Sequence, residues 1–426
     1  MGSSNTATAE YLCKEGAELY FADERKPENE LLVCAEGSKI KKYGILKNGE
    51  VIKADFVFRS PGIRPDARGI EAFVENGATL TSETELFFER AKGKIYGITG
   101  SDGKTTTSTL TYELLKNAGK SVYLAGNIGL PLVTLLDKLT VNDITVAELS
   151  SFQLMTLGRS PVVAAVTSIS ENHLDYHRNI AEYFDAKCNI FSKNECKRLV
   201  IGKESAKKLR LTERVRPKEI TYISDIGDSD GKICLHGKEI LKTADIRMRG
   251  IHNAYNLMTA IGITVDDISE ENIKNVAKEF KGVAHRMELV CERDGKRFYN
   301  SSIDSTPSRT LATVKCFTKP LTVICGGYDK SLDYTELARE LPRYADRVVL
   351  TGASREKIKR AFEVCKSDIK MYIEADFDKA IRIADEITPK GGGVLLSPSC
   401  ASFDAFKNFE ERGKRFTEIV MLGVSS

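Results

Sequence analysis

Tryptophan is absent from the 426 residues, histidine occurs 5 times, and the 10 cysteines are scattered without one Cys-x-x-Cys pair. With no such pair and no apolar leader at the start, neither a zinc site nor a secreted disulfide framework is expected. Cysteine used in this way points to a reducing cytoplasm. No apolar run approaches the ~20 residues of a membrane span, so a soluble chain is expected. Charge of one sign does not accumulate either: 63 basic and 60 acidic residues leave a net charge of +3. No Lys/Arg cluster is interleaved with aromatic residues, and nucleic acid is not an expected partner.

What is present is ordinary globular composition, 42% hydrophobic and 29% charged. The length allows two to four domains with cores of their own, at roughly 100 to 200 residues each. The most informative stretch is KIYGITGSDGKTTT at 94–107. A β-prone run breaks into Gly100-Ser101-Asp102-Gly103 and then reaches Lys104, Thr105 and Thr106, which open a helix-compatible run. Glycines let backbone N–H groups turn toward a polyphosphate, and the helix N-terminus adds partial positive charge. Lys104 would reach the β and γ phosphates and the Thr105 hydroxyl would ligate Mg²⁺. The strict GxxxxGK[ST] spacing is not met, because Ile98 stands where its first glycine belongs. The competing reading is a glycine-rich turn with a solvated lysine.

The chain reads as three α/β units, 1–92, 93–282 and 283–426. In the first, the helix-like TATAEYLCKEG precedes AELYFAD, the polar link ERKPENE and VIKADFVFRS, and RGIEAFVENG, ATLTS and ETELFFERA follow. Short strands alternating with helices predict parallel sheets covered on both faces. Ligands then bind beyond the carboxyl ends of the strands. DITVAEL ends at Glu148 and PVVAAVTSIS runs toward His173, so both are expected on the rim that carries Lys104 and Thr105. Glu148 either ligates a cation or caps the next helix through Ser150-Ser151. His173 reads as a ligand or as a packed or surface histidine, and Lys187, inside the helix-like NIAEYFDAKCNIFSK, as a solvated lysine. Residues 198–250 read as short strands and turns with little chemistry. From 283 strand and helix alternate again without a second phosphate loop. Ser397-Pro398-Ser399-Cys400-Ala401-Ser402 offers donors for an anion or is a polar loop, and Arg286 either reaches the γ-phosphate or makes an ordinary ion pair.

Seven segments carry a resemblance: TGSDGKTT at 99–106, GNIGLP at 126–131, AELSSFQL at 147–154, ENHLDYH at 171–177, HNAYN at 252–256, HRME at 285–288 and LSPSCASFDAFKNFEERG at 396–413. Together and in this order they resemble the Mur ligase family, and ELSSFQL with the long tail most resembles those members that add D-glutamate. The resemblance implies a three-domain α/β ligase: a Rossmann-like N-terminal domain, a central P-loop ATPase-like parallel-sheet domain and a Rossmann-like C-terminal domain. It implies that ATP activates the carboxylate of UDP-N-acetylmuramoyl-L-alanine as an acyl phosphate, which the amine of D-glutamate attacks, in peptidoglycan precursor synthesis by a monomeric cytoplasmic enzyme. Carried over by position, Gly100 to Thr106, Asn253, Asn256, Arg286 and Ser301 fall at the nucleotide. Thr105 and Glu148 serve Mg²⁺, and His173 serves a second Mg²⁺ with Lys187 in carbamylated form. Asn127 meets the muramoyl substrate, while Ser305, Lys330, Ser402 and Phe409 surround D-glutamate.

Three departures stand out. The family pattern opens with a strand and a glycine-rich turn for the UDP diphosphate, of which this chain keeps at most Gly2, so a truncated start and weakened UDP binding are expected. Ser301 and Ile303 replace an aspartate and a lysine of the pattern, and Gly326-Gly327-Tyr328-Asp329-Lys330-Ser331 keeps its lysine in an altered loop. Two other readings stay open: a Mur or folylpolyglutamate-type ligase with another acceptor, and a nucleotide-binding relative that no longer ligates.

Overall fold

Strands rich in Val, Ile, Leu and Ala with apolar residues on both faces suit a parallel sheet covered by helices on each side. The computed structural model bears this out; it describes residues 3–21, 43–45, 51–173, 176–214, 217–227, 231–235, 237–248, 250–329 and 332–423. The chain divides into two compact units, Met1–Phe280 and Lys281–Ser426.

In the first unit a six-stranded sheet runs Glu219–Tyr222, Arg198–Ile201, Val163–Val166, Lys94–Thr99, Ile144–Glu148, Val122–Gly126, every neighbour parallel. Successive side chains point to opposite faces. Ile95, Ala147, Ala164 and Leu199 therefore enter one core, and Tyr96, Val146, Ala165 and Val200 the other. Helices Lys104–Asn117 and Ile251–Thr264 pack together on the second face. Ahead of this sheet lie the helix Ser3–Lys14 and two parallel strand pairs, Leu19–Phe21 with Tyr43–Ile45 and Phe56–Phe58 with Thr79–Thr81. The expected link at 24–30 and Gly2 fall outside the described residues. The stretch 198–250 supplies two strands of the main sheet as well as an antiparallel pair, Lys232–Leu235 with Lys238–Lys242.

In the second unit the order is Glu288–Arg293, Lys296–Asn300, Gly393–Leu396, Leu321–Gly326, Arg347–Thr351, Lys370–Ile373. The unit opens with an antiparallel hairpin where plain strand–helix alternation was expected. Its turn is Asp294-Gly295, with φ of 52° and 74°. An Asp-Gly pair adopts left-handed backbone readily, and that turn matches the twist of paired strands. The other five strands are parallel. Among the described residues no helix is long and apolar enough to cross a membrane.

Candidate functional site

The phosphate-type loop begins where the strand Lys94–Thr99 ends. Gly100 has φ 150°, and a Cβ there would lie 2.0 Å from Thr167 Oγ1; Gly103 has φ 82°, and its Cβ would lie 2.5 Å from Asn256 Oδ1. Only glycine fits either position. Gly103 caps the helix Lys104–Asn117. The loop is held to the end of the neighbouring strand: Ser101 N donates to Ser168 O at 2.8 Å, Asp102 N to Ser168 Oγ at 2.9 Å, and Ser101 Oγ to Ser170 O at 2.9 Å. Lys104 Nζ curls over this loop and donates to Gly100 O at 2.9 Å and Ser101 O at 3.0 Å. Asp102 is exposed, Thr105 half-buried and Thr106 buried.

Glu148 ends the adjacent strand and is buried. Its Oε1 accepts from Asn127 Nδ2 at 3.0 Å, whereas its buried Oε2 has no hydrogen-bond partner. The next helix is capped by Ser150 and Gln153, so the capping alternative for Glu148 does not hold. Lys187 is only 2% exposed. Its Nζ donates to Gly100 O at 2.8 Å and lies 4.7 Å from the Tyr183 ring centroid. Burial pushes its amine well below the usual 10.5, and nearby Lys104 adds to the effect against Asp102 and Glu148. The solvated-lysine reading is therefore corrected: the charge would be desolvated, which favours the neutral amine. His173 is exposed, in left-handed backbone with φ 54°, its ring 5.0 Å from Phe152 and 6.3 Å from Tyr183. Tyr183 in turn shares a 2.9 Å hydrogen bond with Ser101 Oγ. Asn256 Oδ1 accepts from Thr107 Oγ1 at 3.3 Å, and Asn253 lies half-buried on the same helix.

These positions suit a hard divalent cation. Among the described residues no group of three or more His, Cys, Asp or Glu is arranged to hold a metal ion. A single carboxylate with an unused buried oxygen, on the strand next to the one that leads into the Gly100–Gly103 loop, fits Mg²⁺. That ion keeps waters and binds through one or two carboxylates together with substrate phosphates.

In the second unit Ser301 is fully buried, its N donating to Leu396 O at 2.8 Å and its Oγ accepting from Met287 N at 3.2 Å. Arg286 is half-buried between His285 and Met287, both left-handed with φ of 61° and 47°. Ser305 is half-buried and Ser402 buried, and Phe409 opens the final helix Phe409–Leu422, its carbonyl accepting from Ser302 Oγ at 2.8 Å. Lys330 lies outside the described residues. Two organising side chains were missed by sequence reasoning. Tyr183 roofs Lys187, and Arg412, 2% exposed, donates to Ser302 Oγ and Ser302 O at 3.0 and 2.9 Å and to Ala401 O and Cys400 O at 3.0 and 3.1 Å. Burial pushes its guanidinium down to about 10. The available signal was position: Arg412 falls one helical turn after Phe409, on the same face.

The pattern described as the Mur ligase middle domain matches residues 98–264, and the Mur ligase, glutamate ligase domain matches 285–400. UDP-N-acetylmuramoylalanine–D-glutamate ligase of Clostridium perfringens (strain 13 / Type A) is 40% identical over 440 residues, covering 99% of this chain and 95% of that protein. The ligase of the same name from Clostridium novyi (strain NT) is 41% identical over 444 residues with the same coverage. Among solved structures, UDP-N-acetylmuramate-alanine ligase from Thermotoga maritima is similar with TM-score 0.57 and 18% identity, over 99% of this chain and 97% of that one. A MurF ligase from Thermotoga maritima in complex with ADP gives TM-score 0.54 and 16% identity, over 88% and 96%. These structures share the fold, and the sequence relatives share much more: the chain belongs to the Mur ligase family.

Proposed function

We propose that this chain is an ATP-dependent ligase that joins D-glutamate to UDP-N-acetylmuramoyl-L-alanine in peptidoglycan precursor synthesis. The observation that carries this reading is identity of about 40% across 99% of the chain to relatives bearing that name. ATP and Mg²⁺ are the expected cosubstrate and ion, and the first unit supplies residues that fit both. Mg²⁺, when bound, offsets the repulsion between the polyphosphate and the substrate carboxylate.

Gly100 to Thr106 cradle the phosphates, and Lys104 swings from the Gly100 and Ser101 carbonyls to the transferring phosphoryl group. Thr105 and Glu148 would hold the ion, and His173 with Lys187, the latter as a carbamate, would hold a second. In that modification the neutral amine adds to CO₂, forming an N–C bond and losing one proton, so that an amine becomes an anionic carbamate. Burial of Lys187 supports this because the nucleophilic form is the neutral one. Asn253, Asn256, Arg286 and Ser301 serve the nucleotide, Asn127 the muramoyl substrate, and Ser305, Lys330, Ser402 and Phe409 D-glutamate. On this reading residues 1–92, 93–282 and 283–426 are the UDP-substrate, ATP and amino-acid domains of a cytoplasmic enzyme.

The deciding experiment is phosphate release from ATP with UDP-N-acetylmuramoyl-L-alanine, alone and with D-glutamate, L-glutamate, L-lysine or diaminopimelate. Release that depends on D-glutamate is expected. Preference for another acceptor would reassign the substrate, and silence with all of them despite ATP binding would overturn the ligase reading.

A further inference from the structure

Asp304 is a buried carboxyl group that none of these roles uses. It is 5% exposed, in the loop that follows the strand Lys296–Asn300 and next to Ser305. Its Oδ2 accepts from Ser397 Oγ at 2.8 Å, 93 residues along the chain. The nearby Ser301 and Thr313 hydroxyls favour its ionised form. Ser397 Oγ lies 2.9 Å from Thr310 Oγ1, and Thr310 Oγ1 donates to Ser397 O at 3.2 Å.

This network joins two loops. One, 300–306, carries Ser301 and Ser305, and is shaped from within by Asp304 N donating to Ser301 O at 3.0 Å. The other, 397–402, ends at Ser402 and is anchored on the central strand, where Ser397 N donates to Ile324 O at 3.2 Å and Gly326 N to Pro398 O at 2.7 Å. A carboxyl group suits such a junction because it has room for several hydroxyl donors at once, whereas a further serine would accept fewer. Burial raises the Asp304 pKa while the surrounding hydroxyls oppose that rise. A buried, hydrogen-bonded network of this kind favours one arrangement of the segments it joins.

We propose that Asp304 is a positioning residue for the acceptor amino acid, holding loops 300–306 and 397–402 in register so that Ser305 and Ser402 face the same ligand. The inference rests on the ligase reading. It goes beyond that reading in assigning the register of the acceptor loops to a group that does not touch the ligand.

The test is steady-state phosphate release by the full chain, varying D-glutamate at saturating ATP and UDP-substrate, for D304A, D304N and S397A. D304A and S397A should raise the KM for D-glutamate, D304A by roughly tenfold, the order expected when one buried hydrogen-bonding partner is lost. The KM for ATP should rise less than that for D-glutamate, because of the residues assigned to the nucleotide only Ser301 lies on these two loops. D304N keeps an oxygen for Ser397 and should restore the acceptor KM. Amide hydrogen exchange should quicken together in 300–306 and 397–402 in D304A. An acceptor KM equal to that of the wild type in both D304A and S397A, or a loss confined to kcat and Tm, would overturn the role of Asp304. Should D304A fail to fold, S397A compared with D304N makes the same distinction: a raised acceptor KM in S397A alone supports the role, and an unchanged one in S397A overturns it. Wild-type protein that releases no phosphate in response to any acceptor would instead overturn the ligase reading and this assignment with it.

Discussion

Glu148 keeps one carboxylate oxygen buried and unpartnered, and a group in that state costs stability, on the order of 1–3 kcal/mol. Glu148→Gln should therefore leave Tm unchanged or raise it, while lifting the Mg²⁺ concentration for half-maximal activity by roughly tenfold or more. A marked fall in Tm with an unchanged Mg²⁺ requirement would make Glu148 structural. Lys104→Ala removes the cation that lies over the loop and should lower kcat by about 10²–10³, the scale of losing one preorganised donor to developing charge. Near-normal kcat would refute the phosphate assignment. Lys187→Ala should be inactive and partly rescued by short carboxylates, because the side chain is read as a carboxylate precursor. Full activity without rescue would exclude that role.

At the scale of elements, the site depends on how helices and turns end. Gly103 caps the helix of the phosphate loop in left-handed backbone, with Asn256 Oδ1 where a Cβ would go. Gly103→Ala should cost at least about 1–2 kcal/mol from backbone handedness alone, read by chemical denaturation, and should weaken ATP binding. Ser150 and Gln153 form a capping box directly after the Glu148 strand. Ser150→Ala should cost about 1 kcal/mol in the same measurement, since one helix-start N–H loses its acceptor. In the second unit Ser301 stands where the family pattern has an aspartate, yet Asp304, whose N donates to Ser301 O at 3.0 Å, keeps an acidic group in this loop three residues further on.

At the scale of the whole molecule, one long-range ion pair should contribute to the response to pH. Arg64 grips Glu182 with two nitrogens, each at 2.9 Å, and donates to Tyr176 O at 2.7 Å. The guanidinium lowers the Glu182 carboxyl from its ordinary 4.5 to about 2. A lowered carboxylate pKa stabilises the fold above the unfolded value, and that contribution fades as pH falls through the folded one. The Tm advantage of wild type over Glu182→Gln should thus hold above about pH 4.5 and shrink toward pH 2. A difference independent of pH would show that packing, not the ion pair, holds this segment. Glu182 sits in the first turn of the helix Ile180–Cys188 that carries Lys187, and His177 Nδ1 lies 3.6 Å from it, so the pair also steadies the approach to the site.

Glycine spacing, Lys104, the strand-ending Glu148 and the order of the seven motifs were legible in the sequence. Each depends on local backbone rules or on residue type at a fixed offset. The parallel sheet was legible too, because strands buried on both faces must be apolar on both faces. The hairpin Glu288–Asn300 was missed because its Asp-Gly turn was passed over as part of a longer alternation. Only the tertiary structure decided the burial of Lys187 and Arg412 and the environment of Asp304. Desolvation depends on what surrounds a group, and for Lys187 a near neighbour is Gly100 O, 87 residues away in the chain. No spacing within one helix or loop encodes that distance, so residue identity came from the sequence and electrostatic character from the fold.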